Sequence, residues 1–206
     1  IRDRIYGPSA ATTCFSIITG GQNNYISSRQ AFIGGGVGNT ANGISTTIVG
    51  GTLNEVCVGA NNGFIGGGQG NEVIGSCSFI GGGLNNSTTG FFSTISGGSN
   101  NLNNGSGTVI GGGASNKTSC SYGTIAGGQT NTVSGNYSTI AGGIGNTASG
   151  NRSGILGGEN NDINACTCSF IVGANIIANR TCTTFVNNLS IMSIPTTDPG
   201  ISGAIW

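Results

Sequence analysis

The side chains able to do chemistry are few. The chain of 206 residues contains no histidine, so Ser-His-Asp and Cys-His nucleophilic mechanisms and His-ligated metal centres are excluded. Its acids are Asp3, Glu55, Glu72, Glu159, Asp162 and Asp198. Glu55 and Glu72 sit at one phase of successive repeats, either side of a 17-residue step, and so could lie near one another in the manner of the two carboxylates of a glycosidase; a solvated edge is the plainer reading. Seven cysteines, Cys14, Cys57, Cys77, Cys120, Cys166, Cys168 and Cys182, form an odd set with no regular spacing. Among them Cys168 and Cys182 are candidates for a bridge. Buried free thiols, which fit assembly in a reducing compartment, are the plainer account of the set. Cys166-Thr167-Cys168 with Cys182 offers thiolate ligands, but not at the spacing of a zinc knuckle and with no histidine to complete one. The glycine-rich run 66–70 imitates a phosphate loop, yet no Lys-Ser/Thr follows it and no helix is expected there. Asn116-Lys117-Thr118 and Asn136-Tyr137-Ser138 are sequons of the kind that so Asn- and Ser-rich a chain contains by chance. The expectation is a non-enzymatic protein with no catalytic residue, cofactor or metal.

Composition narrows the partners. There are 42 glycines, only 6% charged residues and a formal net charge of zero. With no basic run the chain lacks the phosphate-neutralising stripe of a nucleic-acid binder and the polybasic patch of a membrane binder. No apolar stretch approaches the roughly 20 residues that span a bilayer. The start, Ile1-Arg2-Asp3-Arg4, has neither Met nor a signal-like apolar run, so the expectation is a soluble segment of something longer, with no membrane insertion.

What positions these residues is a repeat. Isoleucine returns every fifteen residues at Ile18, Ile33, Ile48, Ile65, Ile80, Ile95, Ile110, Ile125, Ile140, Ile155 and Ile171, with steps of 17 after Ile48 and 16 after Ile155. Each leads the phrase Ile-x-Gly-Gly-x-x-Asn or a close variant of it. Low-complexity disorder has no reason to return residues to fixed phases, whereas stacked coils do. Taking the isoleucine as position 0, positions −2 to 0 form a β-favouring run whose small residue and Ile share one face. Glycines at +2 and +3 permit positive φ and close coil-to-coil approach. Asparagine at +6 occurs in ten coils, Asn24, Asn39, Asn54, Asn71, Asn86, Asn101, Asn116, Asn131, Asn146 and Asn161. Stacked amides there would satisfy turn groups that coil packing removes from water. A second strand is centred on +8 and closed by glycine at +10. Two turn signals per coil leave room for two short strands, so the predicted fold is all-β, a thin parallel β-roll or β-solenoid of about 11–12 coils, about 55 Å long at roughly 4.8 Å per coil. Residues 1–13 are read as an N-terminal cap or junction, 14–188 as the solenoid and 189–206 as a C-terminal cap or linker.

With one Ile and one smaller apolar residue inward per coil, a lone roll looks underpowered against backbone entropy. Outward residues at −1, namely Phe32, Phe64, Phe79, Val109 and Phe170, are the candidate interface of a homotrimer. Replacing Phe64 and Phe79 by Ser is expected to break assembly and folding together, whereas Asn103 reads as a tolerant loop position.

The phrase Ser-Thr-Ile-Ala-Gly-Gly-x-x-Asn-Thr-x-Ser-Gly over residues 138–150 resembles the head repeats of trimeric autotransporter adhesins, which implies a left-handed roll assembled in threes. The Ser-Phe-Ile-Gly-Gly-Gly variant at 78–83 is similar to repeats in fibre proteins of phages and large DNA viruses. The tail, with Pro195, Asp198-Pro199-Gly200 and Trp206, resembles segments that end or link modules in such fibres, and physically suits a cap: the prolines end ladder pairing and the Trp covers the last edge. The resemblance covers residues 14–188. It implies a fibre or adhesin segment at a virion surface that binds a host glycan or protein. The alternative is a bacterial trimeric adhesin head at the cell surface. A third reading, an ice-binding solenoid, is disfavoured because Phe64, Phe79 and Gly154 interrupt the row of Thr47, Thr94, Thr124 and Thr139.

Overall fold

The computed structural model describes residues 3–5 and 15–189. The predicted caps lie largely outside these residues, as do Cys14 and the prolines and Trp206 of the tail. The β-favouring pairs ahead of the glycines form two-residue strands, as at Phe32–Ile33, Thr47–Ile48 and Phe64–Ile65, lengthening to three residues at Phe170–Val172. A second pair follows within each coil, as at Thr40–Ala41, Glu55–Val56 and Glu72–Val73. The strands alternate between two parallel 12-stranded sheets. One, the Ile sheet, carries positions −1 and 0; the other, the facing sheet, carries +7 and +8. No helix occurs among the described residues. The chain is a parallel β-solenoid of about eleven fifteen-residue coils with two short strands each.

Register is strict because a slip would turn the buried side chain outward. Ile33 pairs with Ile48, Ile48 with Ile65 and Ile155 with Ile171, so the insertions bulge between strands without shifting the ladder. At the C-terminal end Phe185 pairs with Ile171 across a shortened coil. Phe185 thus occupies the next rung, one that the isoleucine period alone does not reveal. At the other end Arg4–Ile5 pairs with Tyr25–Ile26.

A third line joins the coils: single-residue bridges at +4 run from Gln22 through Val37, Thr52 and Gln69 to Glu159. It lies between two left-handed corners and therefore has no strand-like pattern to betray it. At +3, Gly51 has φ of 93°, and a Cβ there would collide with the Gly68 carbonyl oxygen of the next coil. At +5 and −3 the left-handed corners are open enough that non-glycine residues occupy them, for example Leu53, Thr130, Phe92 and Tyr137.

The ladder isoleucines from Ile33 to Ile171 are at most 1% exposed in the single chain; Ile18, at the end, is partly buried. The second apolar row consists of Ile26, Ala41, Val56, Val73, Val133, Ala148, Ile163 and Ala178. Mid-rod this row turns polar at Thr88, Asn103 and Thr118, all fully buried. Asn103 is accordingly no loop residue: it is the inward member of the strand Leu102–Asn103, a position that the +8 phase dictates whatever the residue type.

Candidate functional site

The most developed arrangement is the asparagine ladder. Coil stacking buries the backbone of the turn after the glycines, and its polar groups need partners. Asn39 supplies them. Its backbone N–H donates to Asn24 Oδ1 (3.0 Å), and its Nδ2 donates to Asn24 Oδ1 (3.1 Å), the Gly35 carbonyl (3.0 Å) and the Gly51 carbonyl (2.9 Å). The backbone N–H to Oδ1 bond and the two bonds to glycine carbonyls recur along the rod to Asn161. Below Asn24 the Asp3 carboxylate takes the amide's place, accepting from the Asn24 backbone N–H (2.9 Å) and Nδ2 (3.2 Å). The ladder begins there with an acceptor that has no donor to satisfy.

Hydroxyls at −2 form a second buried ladder. Ser78 Oγ donates to the Gly90 carbonyl (2.8 Å) and accepts from the Ser93 backbone N–H (3.2 Å). Ser138 does the same with Gly150 and Ser153. The mid-rod polar cluster is tighter: Asn103 Nδ2 donates to the Thr94 and Thr108 carbonyls (3.1 Å each), while its Oδ1 accepts from the hydroxyls of Thr108 and Thr118. Thr88 Oγ1, beside it in the row, is buried without a hydrogen-bond partner. These ladders are the source of cohesion that a count of apolar side chains alone omits.

The two sheets differ outside. The outward residues of the Ile sheet, at −1 and +1, include no charged side chain from Ile17 to Val186. Phe64 and Phe79 stack on one another with centroids 5.0 Å apart. Of the predicted interface residues, Phe79, Val109 and Phe170 are exposed, whereas Phe32 and Phe64 are half-buried. Each Phe leans over a glycine: Cε1 of Phe32, Phe64 and Phe79 stands 3.3–3.5 Å from where a Cβ on Gly34, Gly66 or Gly81 would be. Where −1 is Thr, +1 is instead Val49, Ser96, Ala126, Ala141 or Val186. Bulk is traded across the strand at these positions, but not at the C-terminal end, where Phe170 stands beside Val172, both exposed. The facing sheet carries Glu55, Glu72, Lys117 and Asp162.

The residues suited to chemistry are only partly brought together. Glu55 and Glu72 pair in register and, with Cys57, offer one donor atom each within 4.8 Å of one another. Cys57 Sγ donates to Glu72 Oε1 (3.6 Å), and Ser87 Oγ to Glu72 Oε2 (3.3 Å). Burial, then the negative charges of Glu55 and Glu72, then the bond to Glu72 push the Cys57 thiol up to about 12. At neutral pH it is a thiol, a weak nucleophile and a poor ligand. A metal would have to displace that proton before the sulfur could serve as a ligand. The acids project side by side from one sheet face, without the opposed placement across a sugar ring that glycosidic hydrolysis needs. Cys168 and Cys182 fall at the same phase of successive coils and are free thiols, as are Cys57, Cys77, Cys120 and Cys166.

No protein-family model matches the sequence, and no curated protein matches it.

Proposed function

We propose that this chain is a rigid, non-enzymatic segment of a virion fibre or adhesin that serves host attachment, with copies side by side in a homotrimer through the outer face of the Ile sheet. The observation that carries this reading is that face, uncharged over its described length, with Phe set against Gly across three of its strands, at Phe32, Phe64 and Phe79. Exposed apolar side chains recur on that face at Phe79, Val109, Leu156 and Phe170; such surface marks a partner, and another copy offers the same surface. Association is not required to seal the core, because the single chain already buries its isoleucines. The left-handed trimer of the adhesins it resembles is the arrangement that this reading takes. An ordered Thr lattice for ice is broken at Val109 and Gly154 on the same face.

Mass measurement in solution tests it. A trimer is expected at micromolar concentration, and a stable monomer would overturn the assembly. Hydrolysis of a polysaccharide at enzymatic rates would overturn the non-enzymatic reading.

A further inference from the structure

We propose that Cys168 and Cys182 are an oxidation site, closing a cross-coil disulfide that staples the last described coil when the rod meets an oxidising medium. The pairs Phe170 with Thr184, Ile171 with Phe185 and Val172 with Val186 set the register of this coil. Carried back two residues, that register puts Cys182 directly above Cys168. Both adopt the left-handed corner conformation, with φ of 58° and 51°. Both backbones are held alike: the Cys168 N–H donates to the Asn151 carbonyl (2.9 Å) and the Cys182 N–H to the Thr167 carbonyl (3.0 Å).

Neighbours along this corner row do touch. Ser45 Oγ donates to Gln30 Oε1 at 3.1 Å, Asn62 Nδ2 lies 3.9 Å from Cys77 Sγ, and the Tyr122 and Tyr137 rings stack with centroids 5.1 Å apart. A coil spacing of about 4.8 Å falls inside the range of Cα separations that a disulfide accepts. None of the other described cysteines has a cysteine at its own phase in the next coil. Cys166 donates its Sγ proton to the Ala178 carbonyl (3.4 Å), and Cys77 lies between Asn62 and Phe92 in the corner row.

The staple falls where the ladders fail. In this coil Ile176 replaces the ladder asparagine: its backbone N–H still donates to Asn161 Oδ1 (3.1 Å), but its side chain has no amide to pass the chain of bonds onward. Thr184 and Val186 are exposed. Cys182 is exposed and Cys168 half-buried, so a small disulfide can reach the pair. Glutathione disulfide is attacked by the Cys182 thiolate, and one glutathione thiolate leaves. The Cys168 thiolate then attacks the mixed disulfide at the Cys182 sulfur, the new S–S bond forms and the second glutathione departs. The cysteines lose two protons and two electrons, and glutathione disulfide takes up the electrons. This inference does not depend on the proposed function.

The test uses the full chain, incubated with excess glutathione disulfide and digested without reduction. A Cys168–Cys182 linked peptide lacking two hydrogens is expected. Amide exchange across 170–186 should slow on the order of 100-fold relative to the reduced protein, as expected for closing a loop of this length. Cys182→Ser should lose both effects, and Cys77→Ser should keep both. Separate glutathione adducts on Cys168 and Cys182, a bond from either to Cys166, or a link that leaves exchange unchanged would overturn the proposal.

Discussion

At the scale of single residues, the phase of a side chain in the coil outweighs its type. Asn103 is polar, yet position +8 points inward, and there it accepts from two threonines and donates to two carbonyls. Asn103→Ala leaves those groups buried and unpaired and should cost about 2–3 kcal/mol in denaturant unfolding. Asn103→Val combined with Thr118→Val, which restores the apolar row, should recover most of that. Asn104→Ala, on the exposed neighbour, should stay within about 0.5 kcal/mol; equal losses at 103 and 104 would contradict this account. Cys57 supplies a pH dependence. Its proton is retained in the folded state from the ordinary 9.0 up to about 12, so the native chain binds a proton that the unfolded chain has already released in that window. The stability it contributes is intact below pH 9 and is lost as pH rises towards 12. Alkylation should find Cys57 slow at pH 8 beside Cys77, and Glu72→Gln should move its labelling profile to lower pH. An unmoved profile would mean that the Glu72 charge plays no part.

At the scale of the coil, the glycine doublet is two different residues. Gly142 has no atom within 4 Å of a built Cβ and lies outside the left-handed region, whereas Gly143, at φ of 93°, would drive its Cβ into the Gly158 carbonyl oxygen. Gly143→Ala should therefore cost about 3 kcal/mol or more, combining strain with displacement of the next coil. Gly142→Ala should be neutral or stabilising by up to about 1 kcal/mol, since it restricts the unfolded chain without strain. Thermal unfolding of the two variants checks this directly, and a reversed order would refute the assignment of the corner to +3.

At the scale of the whole rod, core and assembly separate. A roll too thin to close its own core would lose folding and association together on Phe64→Ser with Phe79→Ser. The rings, however, stand outside a core that the chain seals by itself, and buried amide and hydroxyl ladders add cohesion. The double variant should therefore fall from the proposed trimer to monomer in a mass measurement while its circular dichroism stays that of the parent. Loss of the β signal along with the trimer would restore the coupled view.

The fifteen-residue isoleucine and asparagine phases were legible in the chain alone, because a side chain that stacks on its own image in every coil must recur, and the β-solenoid with two strands per coil follows from that recurrence. The glycine corner at +3 was legible too, but the left-handed corners at +5 and −3 were not. Outward left-handed positions accept residues as different as Gly107, Phe92, Cys77 and Arg152, and so impose no pattern. The +4 bridge line, the inward turn of Asn103 and the approach of Cys57 to the Glu55–Glu72 pair were decided by coil stacking, which sets which residues of successive coils lie in contact.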